Sequence, residues 1–320
     1  MKSSVATNKT SAAIPSRGAT SADQNSSTSS YPAIAVQEKS TTSLPAKLYR
    51  GFTSPIRLLP DFLIIGTQRG GTTSLYHYLQ THPCIAPATI KEVHFFDRRF
   101  HKGLAWYRGH FPTWIEKYYA QRFRCRTFLT GEASPSYLFH PHAPGRIAKV
   151  LPHAKLIVLL RNPVDRAYSQ YYHVVEHSYG TLSFEEAVRD EEERIAKERA
   201  RVLEDGRYDS YAFRHLSYLS RGIYIDQLQV WMSLFPREQF LILKSEDFFA
   251  DTPAAFKQVL AFLNIPEAEL LSEKKEFKNY NNNVYTSKMD PVLRKCLIRY
   301  FEPHNARLYD FLGADFGWDK

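Results

Sequence analysis

The sequence predicts an α/β domain of three layers, in which a central, mainly parallel sheet is flanked by helices. Short apolar runs at residues 62–65, 127–130, 155–160 and 240–244 alternate with segments of helical period, and that alternation builds a parallel sheet covered on both faces. The runs at 62–65 and 156–160 are unbroken by polar residues, as in strands buried on both sides. About 260 residues follow a polar N-terminal stretch, enough for one substantial core.

Taken in chain order, residues 1–55 are dominated by serine, threonine and alanine without hydrophobic period, and read as a disordered tail. Residues 56–320 read as a single domain. The first strand, 62–65, runs into a glycine-containing turn and then a helix on which Leu75, Tyr78 and Leu79 share a face until His82-Pro83 stops it. Helices are expected at 142–151, 164–174, 223–234, 253–263 and 291–307. Residues 185–204 form a dense mixed-charge helix, read first as a solvated surface element with i,i+4 pairs and alternatively as a wall of an acceptor cleft. No internal repeat is visible.

The net charge is +9. Lys2, Lys9, Arg17, Lys39, Lys47 and Arg50 outweigh Asp23 and Glu38 in the first fifty residues, so the folded part is only mildly basic. An enzyme with an anionic ligand explains that charge without a nucleic-acid partner. The tail lacks the apolar stretch of a signal peptide or membrane anchor. The expected location is the cytoplasm, with organellar import through the tail as the alternative. Cys84, Cys125 and Cys296 have no metal-site spacing and no disulfide framework is expected, so the reading is metal-independent.

The turn Gly66-Thr67-Gln68-Arg69-Gly70-Gly71-Thr72-Thr73-Ser74 joins a strand to a helix. Such a turn aims backbone N–H groups and the positive end of a helix dipole at one point, which suits a phosphate or a similar oxyanion. It is P-loop-like but departs from the nucleotide-hydrolase pattern. Gly71 falls correctly after Gly66, yet Thr72 stands where lysine belongs and the basic group sits earlier, at Arg69. A hydrolase also needs an aspartate on a second strand to hold magnesium. Here residues 155–160 end in Arg161-Asn162-Pro163, and a guanidinium clamps a further phosphate rather than a metal.

These motifs carry a family resemblance. Residues 68–73 resemble the 5′-phosphosulfate loop of sulfotransferases that use 3′-phosphoadenosine-5′-phosphosulfate (PAPS). Arg161 through Ser169, with an arginine followed eight residues later by serine, is similar to that family's 3′-phosphate motif. Lys91-Glu92-Val93-His94-Phe95-Phe96-Asp97 resembles the catalytic segment of the heparan sulfate glucosaminyl N- and 3-O-sulfotransferases. Met289-Asp290-Pro291 through His304-Asn305 to Leu312 looks like the same branch. The likeness covers residues 60–320; without an anchor the targeting does not resemble that of a Golgi-resident sulfotransferase, and the expectation is a soluble, bacterial-type member.

The resemblance implies that Arg69 and the backbone of Gly70, Gly71, Thr72 and Thr73 surround the 5′-phosphosulfate. Ser74 either adds a hydroxyl or is a first-turn helix residue. Arg161 and Ser169 take the 3′-phosphate, and Arg166 faces the same side or makes a surface salt bridge. The family usually carries lysine at the position of Arg69; arginine keeps the charge but is a poor proton donor. By spacing alone Glu92 is a solvated carboxylate paired with Lys91. The resemblance makes it the base for the acceptor proton, with His94 assisting, Asp97 buttressing and Lys91 touching sulfate or donor. An extended segment would put Glu92 and His94 on one face. Glu132 and Ser134 in the segment 131–137 are acceptor-side candidates, and the aromatic and hydroxyl groups of that segment could stack on and hydrogen-bond a sugar.

The N-sulfotransferase branch closes over its nucleotide with a loop rich in lysine and glycine. The matching segment here, 278–285, is rich in asparagine between Lys278 and Lys288, so closure would differ. The acceptor implied is a carbohydrate or glycoconjugate hydroxyl or amine. A non-carbohydrate metabolite or lipid, a P-loop kinase or hydrolase, and a non-enzymatic nucleotide sensor remain the alternatives.

Overall fold

A computed structural model describes residues 43–177, 182–265, 277, 280 and 287–319. Five strands form one sheet: β1 (Phe62–Gly66), β2 (Ile85–Pro87), β3 (Leu129–Ala133), β4 (Lys155–Leu160) and β5 (Phe240–Lys244). Their order is β2-β3-β1-β4-β5, and every pairing is parallel. The chain lays β2 and β3 to one side of β1 and then returns to place β4 and β5 on the other. The crevice beyond the carboxyl ends of β1 and β4 is therefore the point where strand order reverses, where open α/β sheets bind ligands.

The three layers follow from side-chain alternation. Leu63, Ile65, Leu156, Val158 and Leu160 enter one core with Trp231 and Tyr224. Phe62, Ile64, Ile157 and Leu159 enter the opposite core with Leu75, Tyr78 and Phe256. A smaller cluster joins Val164 and Ala167 to Leu297 and Phe301. It packs the helix Pro163–His177 against the C-terminal helix Pro291–Leu312. The cap of that last helix is legible locally: Asp290 accepts from the N–H groups of Val292 at 2.8 Å and Leu293 at 2.9 Å.

Several predicted boundaries move. The third strand begins at Leu129 and runs to Ala133, because Gly131 and Glu132 pair with Phe62 and Leu63. The charged segment is two helices, Phe184–Arg189 and Glu191–Glu204. Its second helix is not wholly a solvated face. Glu191 is buried and accepts from the N–H groups of Tyr218, Leu219 and Ser220 at 2.6–2.9 Å, which anchors it to the 211–222 segment. Short β2 and the helix Trp114–Phe123 had no prediction. Within the stretch read as tail, Leu44–Phe52 is a helix and Ser54–Ile56 a 3₁₀ turn, with Arg57 lying over the Tyr49 ring. Residues 1–42, Lys278 and residues 281–285 lie outside the described residues, and Lys288 is exposed. Among the described residues no helix is long and apolar enough to cross a membrane.

Candidate active site

The turn after β1 is built around two glycines. A side chain at Gly70 would stand 2.6 Å from the Leu159 carbonyl, and one at Gly71 would stand 2.8 Å from the Phe249 ring. Gly71 also has φ +96°, and it caps the helix Thr72–Gln80. Gly71→Ala should therefore destabilise the protein by about 1–3 kcal/mol, read from denaturant unfolding; an unchanged midpoint would show that the turn relaxes freely. The Gly70 N–H bonds the Thr67 carbonyl at 2.9 Å, so Gly70 supplies space to this cradle rather than its amide. The first-turn N–H groups that follow have no acceptor within the helix.

The two arginines meet. Arg69, at φ 70°, sends its Nε to the Ser169 hydroxyl at 3.1 Å. Arg161 Nη1 donates to the Arg69 carbonyl at 3.0 Å. Adjacent strands position both, since β1 and β4 pair and the Thr67 N–H bonds the Leu159 carbonyl at 2.8 Å. Asn162 caps the following helix, its Oδ1 accepting from Val164 at 3.0 Å and Asp165 at 3.3 Å, while Pro163 starts the helix. That helix brings Ser169 back to the crevice. Asp165 is further tied to Arg294 at 2.6 Å, fixing it against the C-terminal helix.

Two donor-side expectations change. Arg166 makes no surface salt bridge. It is fully buried and donates to the Tyr218 carbonyl at 2.6 Å, holding the helix to the 211–222 segment. The Ser74 hydroxyl is engaged with residue 280, accepting from its N–H at 3.0 Å and lying 3.3 Å from its carbonyl oxygen; the Tyr280 ring stacks on His77 at 4.5 Å.

The acidic segment reaches the same place. Lys91 Nζ donates to Thr73 Oγ1 at 2.8 Å and to Glu92 Oε1 at 3.0 Å. Glu92 Oε2 lies 3.3 Å from His94 Nε2, and His94 Nδ1 lies 2.8 Å from Asp97 Oδ2. Ser136 Oγ completes the chain at 2.6 Å from Asp97. Side-chain exposure falls along it, from 34% at Glu92 to 14% at His94 and 1% at Asp97, so the relay runs from an open end into the core.

The segment is not extended. Glu92 has φ 58° and His94 φ 53°, so the two side chains converge through a tight left-handed turn rather than along one face of a strand. A non-glycine residue held there costs on the order of 1 kcal/mol or more. Arg69, Glu92 and His94 are three of only four such residues among those described, so the backbone strain is concentrated at this crevice. After His94 the chain makes one π-turn, with the Arg99 N–H reaching the His94 carbonyl at 2.9 Å; Val93, Phe95 and Phe96 are buried beneath it.

Electrostatics set the protonation states. Burial alone would lower the His94 imidazole, but Asp97 and Glu92 on either side hold it up at about 10. Burial would raise Glu92, yet the hydrogen bond from His94 and the Lys91 ammonium bring its carboxyl down to about 2. Asp97 is likewise pushed up by burial and drawn well below the usual carboxylate range by His94 and Ser136. His94 is thus an imidazolium between two carboxylates. Its pKa is raised on folding, so its stabilisation is complete below its unfolded value of 6.5 and is lost as pH rises through about 10. The melting-temperature gap between wild type and His94→Gln should be largest near pH 6 and close toward pH 10. A gap that does not vary with pH would remove the charged pair.

Glu132, Ser134 and Tyr137 do not face an acceptor. All three are buried, because β3 extends to Ala133 and turns them under the His94 segment. Glu132 accepts from Tyr107 at 2.8 Å, Tyr137 at 3.0 Å and Ser134 at 2.7 Å. Ser134 Oγ in turn accepts the His94 N–H at 3.2 Å, and Tyr137 OH accepts the Phe95 N–H at 2.9 Å. Burial raises the Glu132 carboxyl against these three hydroxyl donors. Sequence reasoning gave Tyr107 no role and offered Ser136 only as one of the hydroxyl groups of 131–137 toward a sugar, whereas Ser136 is buried on Asp97. Nothing local signals a hydroxyl that will meet a carboxylate 39 residues away.

Known proteins share the family and the fold of this chain. A family profile described as a sulfotransferase domain matches residues 59–305. The membrane-associated sulfotransferase kil1 of Dictyostelium discoideum is 28% identical, over 82% of this chain and 67% of its own length. Two mouse proteins are each 30% identical over 82% of this chain. Heparan sulfate glucosamine 3-O-sulfotransferase 3A1 is covered over 65% of its length and 3-O-sulfotransferase 6 over 75%. The chain thus spans about two thirds of the first of these relatives. Among solved structures, a sulfotransferase from Alicyclobacillus acidocaldarius is 29% identical with a TM-score of 0.60, over 82% of this chain and 100% of that one.

Proposed function

This chain belongs to the sulfotransferase family, and from that premise we propose that it moves a sulfuryl group from PAPS to a hydroxyl or amine of a carbohydrate-like acceptor, with Glu92 as the base. The observation that carries the reading is the Lys91–Thr73 contact of 2.8 Å. It joins the carboxylate–imidazole relay to the first turn of the helix that would hold the donor's sulfonated end.

In this reading Arg69 and the first-turn N–H groups of Gly71, Thr72 and Thr73 surround the 5′-phosphosulfate, and Arg161 with Ser169 takes the 3′-phosphate. The acceptor oxygen attacks sulfur as the bond from sulfur to the phosphate oxygen breaks, and its proton passes to a Glu92 oxygen. The leaving group departs as 3′-phosphoadenosine-5′-phosphate. Little covalent work falls to the protein; positioning and charge do the rest.

A carboxyl held at about 2 is a weak base, since the effective pKa lies near working pH. Lys91 relieves part of this, while the His94 hydrogen bond holds the rest. A sulfonate at the helix N-terminus competes with Glu92 for the ammonium, which already touches Thr73. Transfer of that charge toward the donor raises the proton affinity of Glu92 when the reacting group is in place. His94 keeps Asp97 as its partner and stays oriented by it. No metal enters this scheme.

The acceptor is assigned to carbohydrate because heparan sulfate glucosamine 3-O-sulfotransferases are among the proteins this chain is similar to. Labelled PAPS offered to pooled glycans, lipids and small metabolites tests the assignment. Label on a glycan that requires Glu92 supports it; label on lipid or metabolite alone reassigns the acceptor, and no transfer to any pool overturns the activity.

A further inference from the structure

Two short helices carry amphipathic patterns turned the opposite way from those of a core-packed helix. On Leu44–Phe52 the residues Leu44, Leu48, Tyr49 and Phe52 share one face, and that face is exposed, Phe52 to 89%. The face turned to the protein is instead Ala46 and Arg50, both half-buried, with Arg50 packed at Gly109. Trp114–Phe123 repeats the inversion. Trp114, Ile115, Tyr118, Tyr119 and Phe123 line one side and are all exposed, Phe123 to 70%. Its more buried side is Lys117 and Ala120, and no residue of this helix is fully buried.

The helices spring from one junction. Arg57, just past the first, bridges antiparallel to Thr113, which caps the second. The Leu58 N–H bonds the Pro112 carbonyl at 2.8 Å, and Arg57 Nη1 bonds the Phe111 carbonyl at 2.6 Å. Arg122, Arg124 and Arg126 are exposed beside the aromatic stripe, with Arg122 over the Phe123 ring. Glu116 is the one carboxylate between residues 113 and 126, and it is engaged by the Thr113 N–H and hydroxyl at 2.6 and 2.8 Å. An outward apolar stripe is left with cations beside it, and the single carboxylate of residues 113–126 is tied to the helix cap.

We infer that this face docks on an anionic lipid surface, the two helices lying in the headgroup layer. Helices of nine and ten residues are too short to span a bilayer. An outward face of Trp, Tyr, Phe and Leu edged by guanidinium groups suits the interface, where rings sit at headgroup depth and cations meet anionic lipid. Both helices precede the amino ends of strands, β1 for the first and β3 for the second, whereas Arg69 and Arg161 follow the carboxyl ends of β1 and β4. Docking and chemistry occupy opposite edges of the sheet, roughly 17 Å apart for a five-residue strand.

Sedimentation of the full chain with phosphatidylcholine vesicles, and with vesicles containing phosphatidylglycerol, tests this. The protein should bind the anionic vesicles, and added salt should weaken that binding. Arg122→Gln with Arg124→Gln should weaken it about fivefold per residue, and Phe52→Ser with Phe123→Ser about tenfold or more per ring. Sulfuryl transfer to a water-soluble acceptor should stay at the wild-type rate in both variants, which certifies their fold. Three results would each overturn the inference: no vesicle binding by the full chain, binding indifferent to both sets of substitutions, or a dimer in solution that the aromatic substitutions disperse.

Discussion

Glu92→Gln should lower turnover by about 10²–10⁴-fold while leaving the affinity for 3′-phosphoadenosine-5′-phosphate unchanged. Glutamine keeps the size and planarity of the side chain but has no carboxylate to take the acceptor proton. The site tolerates the exchange structurally, because Glu92 is one-third exposed and its two contacts, Lys91 and His94, are themselves polar. His94 retains Asp97 at 2.8 Å and Ser136 beyond it, so the relay keeps its inner half. Steady-state turnover measured beside product-nucleotide titration separates the two outcomes. Turnover at the wild-type level would take Glu92 out of the mechanism, and a parallel loss of nucleotide affinity would make it a donor-site residue instead.

Arg161→Ala should weaken binding of the nucleotide bearing a 3′-phosphate by about ten- to a hundredfold, the worth of a charge-assisted contact of about 1.5–3 kcal/mol. Its effect on a nucleotide with a 5′-phosphate alone should be small. The comparison matters because Arg161 also holds the Arg69 carbonyl at 3.0 Å. If the guanidinium acts on the 3′-phosphate, discrimination between the two nucleotides collapses. If it acts only through the turn, both nucleotides weaken together and the 3′-phosphate assignment fails. Calorimetric titration of both against wild type and variant decides between them.

Strand identity was legible where a run was long and apolar. Residues 155–160 and 240–244 are strands to the residue, because each ends at or beside a cation, Arg161 after the first and Lys244 in the second, and has its apolar side chains to bury. Residues 127–130 misled at both ends, since β3 begins at Leu129 and runs on to Ala133. The pairing of Gly131 and Glu132 with β1 is a tertiary contact that local composition does not announce, and it converts Glu132 and Ser134 from cleft residues into a buried support. The helix Trp114–Phe123 escaped notice because its apolar side faces out, so no core demands it.

Arg69 meets Arg161 because each follows an apolar run that becomes a strand, and the two strands pair. What composition and spacing dictated, then, was the alternation of buried strands and helices and the placing of one arginine after each of two strands, since apolar burial and turn sterics act over a few residues. The fold alone settled which distant groups touch. The Lys91–Thr73 contact, the paired left-handed turns at Glu92 and His94, the hydroxyl of Ser136 on Asp97 and the outward faces of two helices all depend on strand order and packing. Those are cooperative properties of the whole sheet, and no window of sequence encodes them.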